Sequence, residues 1–228
     1  MKVAVLLSGC GVFDGSEIHE AVFTLLALKQ NNLEYVCVAP IIKQHHVVNH
    51  IDGQEMKDER DVFFESARIA RGEIFSLSDL DFNEVHALVI PGGFGVAKNL
   101  SNWAFQGPKS SLLPLVKDFV LHCVENKKPI VALCISPTLI AKALEGSKYV
   151  STLTLGTSVN ESEYNISEIH EAIESIGSQA SEKTIKQICV DDELRIISAP
   201  CYMMNASIDQ VYKNVKLAID ELVNQLSR

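Results

Sequence analysis

No apolar run in this 228-residue chain approaches the roughly 20 residues that span a bilayer; the longest, such as Val3 to Leu7 and Ala87 to Ile90, are far shorter. Only Met1 and Lys2 precede the first run and no small-residue cleavage pattern follows it, so a secretory signal is not expected. Basic clusters are also missing. Lys and Arg number 20 against 29 Asp and Glu, the formal net charge is −9, and the longest basic run is Lys127-Lys128. Nucleic acid and anionic membrane are therefore excluded as expected partners. The six cysteines form no C-x-x-C pair, and no histidine stands at finger spacing from them, which removes a disulfide scaffold and a zinc finger. The same pattern predicts a reducing, cytoplasmic setting with no metal. Repeats, low-complexity tracts and Pro/Ser-rich linkers are absent, so residues 1–228 read as a single domain. What is present is enough to fold: 47% of residues are apolar, sufficient to bury a core.

Apolar stretches alternate in kind along the chain. Val3 to Leu7, Tyr35 to Ala39, Ala87 to Ile90 and Pro129 to Leu133 are continuous apolar runs, as expected of strands buried on both faces. Helical spacing is found in Ile18, Val22, Leu25, Leu26 and Leu28, over Val62 to Ala70, Leu112 to Glu125 and Thr138 to Leu144, and in Ile166 to Ile176. A strand near Thr152 to Leu155 and a hairpin of Ile185 to Val190 with Leu194 to Ser198 follow. The closing helix carries Val211, Val215, Ala218, Leu222 and Leu226. Such alternation predicts an α/β fold with a mostly parallel sheet between layers of helices.

Chemistry in such sheets gathers at the carboxyl ends of the strands. Cys134 ends one apolar run and directly precedes a helix with Pro137 near its first turn, where a missing N–H costs nothing. A cysteine on that tight turn is a nucleophile elbow, and the helix N-terminus is expected to favour its thiolate. Pro91-Gly92-Gly93-Phe94-Gly95 follows the preceding strand, and its amides, with that of Ile135, suit an oxyanion hole. The loop Ser8 to Gly15 has Gly9 and Gly11 but Asp14 where a dinucleotide fingerprint needs its third glycine, so no nucleotide is expected. Asp14-Gly15-Ser16-Glu17 reads as a capping box with Asp14 as the cap. Glu20 lies one turn into the helix and is free to serve as general acid/base beside the elbow. Glu17 and His19 are the other candidates for that role.

These motifs carry a resemblance. Leu7 to Glu20, Pro91 to Asn102 and Cys134-Ile135-Ser136-Pro137 resemble the ElbB-type isoprenoid-biosynthesis glyoxalases, and the likeness extends through Ala70 to Ile74, Val190-Asp191 and Ala199 to Met203. That family sits in the class I glutamine-amidotransferase-like group, beside the PfpI peptidase and deglycase branch. The resemblance implies a flavodoxin-like sandwich, a homodimer, and a weak glyoxalase that converts glyoxal to glycolate without glutathione or other cofactor. It also implies that a cysteine, here Cys134, works with a glutamate, here Glu20. The chain departs from glutaminase chemistry, which needs His-x-Glu after the elbow; the one histidine there, His170, is followed by Glu171-Ala172 inside a helical pattern. The expected reaction is addition of the Cys134 thiolate to a small aldehyde, with Gly92, Gly93 and Ile135 around the oxygen. The competing expectation is a redox-sensing binding protein, in which Cys10 resolves an oxidised Cys134.

Overall fold

Uninterrupted apolar sequence becomes the inner strands of one sheet. The computed structural model describes all 228 residues. In it β1 (Lys2–Leu6), β2 (Glu34–Ala39), β4 (Ala87–Ile90), β5 (Ile130–Leu133) and β9 (Ile196–Ala199) are buried almost throughout, as strands covered on both faces must be. With the short edge strands β3 (Ile74–Ser76) and β8 (Cys189–Asp191) they make a seven-stranded sheet in the order β3-β2-β1-β4-β5-β9-β8. All pairings are parallel except β8 with β9. A separate two-stranded parallel sheet joins β6 (Thr152–Leu153) to β7 (Gln179–Ala180).

The helices are α1 (Ile18–Gln30), α2 (Val62–Ala70), α3 (Trp103–Gln106), α4 (Pro114–Glu125), α5 (Pro137–Leu144), α6 (Ile166–Glu174) and α7 (Ile208–Leu226). They cover both faces of the sheet, and one apolar cluster of 56 buried residues runs continuously from Val3 to Leu222. The result is the flavodoxin-like three-layer sandwich that the alternation and the resemblance together imply.

Several local expectations fail for identifiable reasons. β3 and β7 are three and two residues long, too short to show an apolar pattern, and β8 begins only at Cys189, leaving Ile185 to Ile188 outside it. β6 stops at Leu153, two residues short of the expected end. In α1 the buried face is Glu20, Ala21, Thr24, Ala27 and Leu28, whereas Ile18, Val22 and Leu26 point outward. The larger apolar residues misidentified the inner face. The face turned inward is the one that carries Glu20, Ala21 and Thr24.

Candidate active site

The bend after β5 is tight. Cys134 adopts φ +58°, a left-handed conformation that costs a residue with a Cβ about 1–2 kcal/mol. Its amide donates to the Ala199 carbonyl of β9 at 2.9 Å, and the Ser136 hydroxyl donates to the Pro91 carbonyl beyond β4 at 2.9 Å. The bend is thereby tied to both neighbouring strands. α5 then starts at Pro137. The backbone amides of Gly93 and Ile135 face the Cys134 sulfur. This is the elbow expected from sequence.

Glu20 enters from α1 and is fully buried. Its Oε2 accepts from the Gly92 amide at 2.8 Å, its Oε1 accepts from the Tyr202 amide at 3.3 Å, and its carboxyl reaches the Cys134 thiol. Gly92 is the reason the two side chains can meet. A methyl group on its Cα would lie 2.6 Å from Glu20 Oε2 and 2.9 Å from Cys134 Sγ, and closer still to Cys134 Cβ. Gly93 is constrained too: at φ +98° its missing side chain leaves room for the backbone of Gly15 to Glu17. So Gly92 spends its N–H on Glu20, and only Gly93 and Ile135 of the expected oxyanion trio direct amides at the sulfur.

Burial pushes the Glu20 carboxyl up to about 8, aided by the negative charge of Glu17 and opposed by the amides of Tyr202 and Gly92. Near neutral pH it is therefore largely protonated. Burial also drives the Cys134 thiol well above its ordinary value, with the charge of Glu20 adding to the rise. The low-pKa thiolate expected from the helix N-terminus is thus corrected. A partial positive charge at a helix end is worth about 0.3–1 kcal/mol near the surface, and desolvation outweighs it here.

Glu17 is the N-cap of α1, its Oε2 accepting from the Glu20 amide at 2.7 Å. This replaces the expected capping box headed by Asp14. Asp14 is buried in the preceding loop, where it accepts from the Val48 amide at 2.7 Å. His19 is exposed, its Nδ1 lies 2.9 Å from the Tyr202 hydroxyl and 3.9 Å from Glu17 Oε1, and it lines a different cavity from Cys134. His170 accepts from the Leu155 amide at 3.2 Å within the fold, as its place in a helix suggested. Cys10 sits in the first loop among Glu65, Arg68, Asp14 and Arg60. The thiol that does neighbour Cys134 is Cys201, fully buried beside the Cys134 amide and sensing the charge of Glu20. Sequence reasoning passed over it. The one available signal was the pairing of its strand, β9, with β5.

A cavity of about 210 Å³ opens over Cys134, walled by Phe94, Trp103, Ile135, Tyr164, Ile169 and Met203 among others. A second cavity of about 380 Å³, of mixed lining, adjoins Glu17, His19, Glu163 and Asn205, and Val12, Tyr164 and Tyr202 border both. No group of three His, Cys, Asp or Glu is arranged to hold a metal ion, and no helix is long and apolar enough to cross a membrane.

Comparison with known proteins gives a consistent picture. The family model described as DJ-1/PfpI matches residues 1–199. The crystal structure of an isoprenoid biosynthesis protein with amidotransferase-like domain from Ehrlichia chaffeensis is 36% identical, covers 99% of each chain and superposes with a TM-score of 0.89. The human protein named glutamine amidotransferase-like class 1 domain-containing protein 3, mitochondrial, is 36% identical over 94% of this chain and 79% of its own length. Glyoxalase III of Candida albicans, 16% identical with a TM-score of 0.60 over 96% of each chain, shares the fold.

Proposed function

The chain belongs to the DJ-1/PfpI family, and on that footing we propose that it is a glyoxalase acting on small 2-oxoaldehydes without glutathione or another cofactor. The observation that carries this reading is the Glu20 carboxyl held against the Cys134 thiol across Gly92. The pair shares its protons. Its first deprotonation, near pH 8, leaves one proton between carboxyl and sulfur, and that singly charged pair is the reactive form. As Cys134 Sγ bonds to the aldehyde carbon, the thiol proton passes to Glu20 and on to the aldehyde oxygen, giving a hemithioacetal. The Gly93 and Ile135 amides stabilise the charge that develops on that oxygen.

Glu20, again a carboxylate, then removes the hydrogen from the former aldehyde carbon. It returns that proton to the adjacent carbonyl carbon while the hydroxyl proton moves to the adjacent oxygen, leaving a 2-hydroxy thioester. Water cleaves the thioester, releasing the 2-hydroxy acid and the thiol. Turnover of glyoxal by wild type, Cys134→Ser and Glu20→Gln tests this directly. Equal rates in all three would sink it.

A redox reading keeps one supporting observation, the nearness of Cys201 to Cys134. In it a peroxide takes two electrons from the two thiols, forming one disulfide and releasing water. Mass spectrometry after low-dose peroxide would find a Cys134–Cys201 bond, in place of the Cys10 pairing expected from sequence. Two further proposals concern setting. A homodimer is supported by the resemblance and by the outward apolar residues Ile18, Val22 and Leu26 on α1; sedimentation of wild type against Val22→Glu checks it. A cytoplasmic location is supported by six free thiols, although the human relative's name places that protein in mitochondria. Cell fractionation decides between them.

A further inference from the structure

The cavity over Cys134 is larger and drier than glyoxal requires. Glyoxal consists of two carbons and two oxygens, whereas an apolar cavity of about 150 Å³ already takes up benzene and this one measures about 210 Å³. Its walls hold no Lys, Arg, His, Asp or Glu. Lys98 is not part of that lining: its Nζ donates to the Phe13 carbonyl at 2.9 Å and lies 5.2 Å from the centroid of the Phe94 ring. The carboxyl of Glu20, which touches the thiol, is not part of that lining. A carboxylate or phosphate on the substrate would lose its water there and find no positive partner in the lining. An aryl ring would meet Phe94 and Tyr164, whose own rings are 6.2 Å apart and inclined at 58°.

We infer that this cavity is the specificity pocket for an uncharged, apolar substituent on the 2-oxoaldehyde, of aryl or branched-alkyl class. The inference rests on the glyoxalase reading for its chemistry but on the cavity for its selectivity. In the bound substrate the aldehyde carbon lies at Cys134 Sγ, which lines this cavity and not its neighbour. The substituent extends past Ile135 toward Trp103 and Met203, leaving the second cavity beside Glu17 and His19 open to water. Burying apolar surface favours binding by roughly 4-fold per methylene, so a phenyl group is expected to raise kcat/KM over glyoxal by about 10- to 100-fold.

The test uses the full-length protein with glyoxal, phenylglyoxal and 4-carboxyphenylglyoxal. The expected order places phenylglyoxal first by at least about 10-fold, with the carboxylated analogue falling back to the level of glyoxal or below. Ala104→Phe, at the exposed rim of the cavity, should shrink the phenylglyoxal-to-glyoxal ratio toward one. A second arm avoids turnover altogether: acetophenone, which carries no aldehyde, should slow iodoacetamide alkylation of Cys134. If phenylglyoxal is no better than glyoxal and acetophenone gives no protection, the pocket assignment is overturned while the glyoxalase reading stands. If no dicarbonyl is turned over but acetophenone still protects Cys134, the apolar pocket stands and the glyoxalase reading falls.

Discussion

Strands β5 and β9 lie side by side, and each runs out into a cysteine at positive φ, +58° for Cys134 and +46° for Cys201. Both thiols are driven well above the ordinary cysteine range by burial. Their surroundings then diverge. Cys134 lines an open cavity, faces the Gly93 and Ile135 amides, and touches Glu20. Cys201 has no exposed surface, its amide donates to Asn214 Oδ1 at 2.9 Å, and it leads into a short turn packed under α7. A strained strand end is therefore common to both, and access with a proton-accepting partner belongs to one.

The largest contrast between the two thiols is expected when each is exchanged for a group that cannot react. Cys134→Ser is expected to lower glyoxal turnover by a factor on the order of 1,000 or more, because the hydroxyl is far less acidic and no strong base adjoins it. Cys201→Ala should keep at least roughly a third of turnover, losing only buried sulfur volume at a stability cost of about 1 kcal/mol. Steady-state rates and thermal unfolding of the two variants check the contrast. Comparable losses at both positions would mean that Cys201 takes part in the chemistry.

Next in size is the carboxyl. Glu20→Gln keeps the shape and the contacts to the Gly92 and Tyr202 amides only in part, and removes the proton carrier; turnover should fall by about 100-fold. In the wild type the pH–rate profile should rise through about pH 8 as the pair loses its first proton, and that rise should vanish in the variant. Stability gives the same group a second signature. An acid whose folded pKa is raised holds its proton while the unfolded chain has lost it. Glu20 therefore makes stability fall as pH rises from the ordinary carboxylate range to about 8, by at most about 1.4 kcal/mol per pH unit. Below that window the penalty is absent, and above it constant. Melting temperatures of wild type and Glu20→Gln between pH 5 and 8 should diverge, with the variant flatter.

How far the sequence carried these points varies by level. The parallel sheet was legible because unbroken apolar runs such as Val3 to Leu7 have no other comfortable place. The elbow was legible because Cys134 stands between such a run and Pro137. Glu20 could be nominated, since a carboxylate without a capping duty invites a role. The identity of the cap was misread: Glu17 and Asp14 both precede the helix, and only the path of the loop decides which one reaches the free amides. The inner face of α1 was hidden for a similar reason, since Val22 and Leu26 are better core residues than Thr24 and Ala27 by hydrophobicity alone. The proton on the thiol was not legible at all. Its sign depends on desolvation, which depends on every chain segment that closes over the strand ends, Tyr202 and Met203 from the far side of the sequence included.

The mildest test separates the two carboxyls of α1 without removing either the nucleophile or its partner. Glu17→Gln retains an oxygen that can accept from the Glu20 amide, so the cap should survive with a stability loss of about 0.5 kcal/mol or less. What it deletes is a negative charge that helps hold Glu20 protonated. Glu20 then ionises more readily, and the midpoint of the pH–rate profile should move below about 8 while the plateau rate changes little. The effect on stability near neutral pH runs in the same sense, because a smaller rise in the Glu20 pKa narrows the window in which folding is penalised. An upward move of the midpoint would show that Glu17 supports ionisation of the pair. A collapse of the plateau with the midpoint unmoved would transfer the proton-carrying role from Glu20 to Glu17, which geometry places at the helix cap and at the edge of the second cavity.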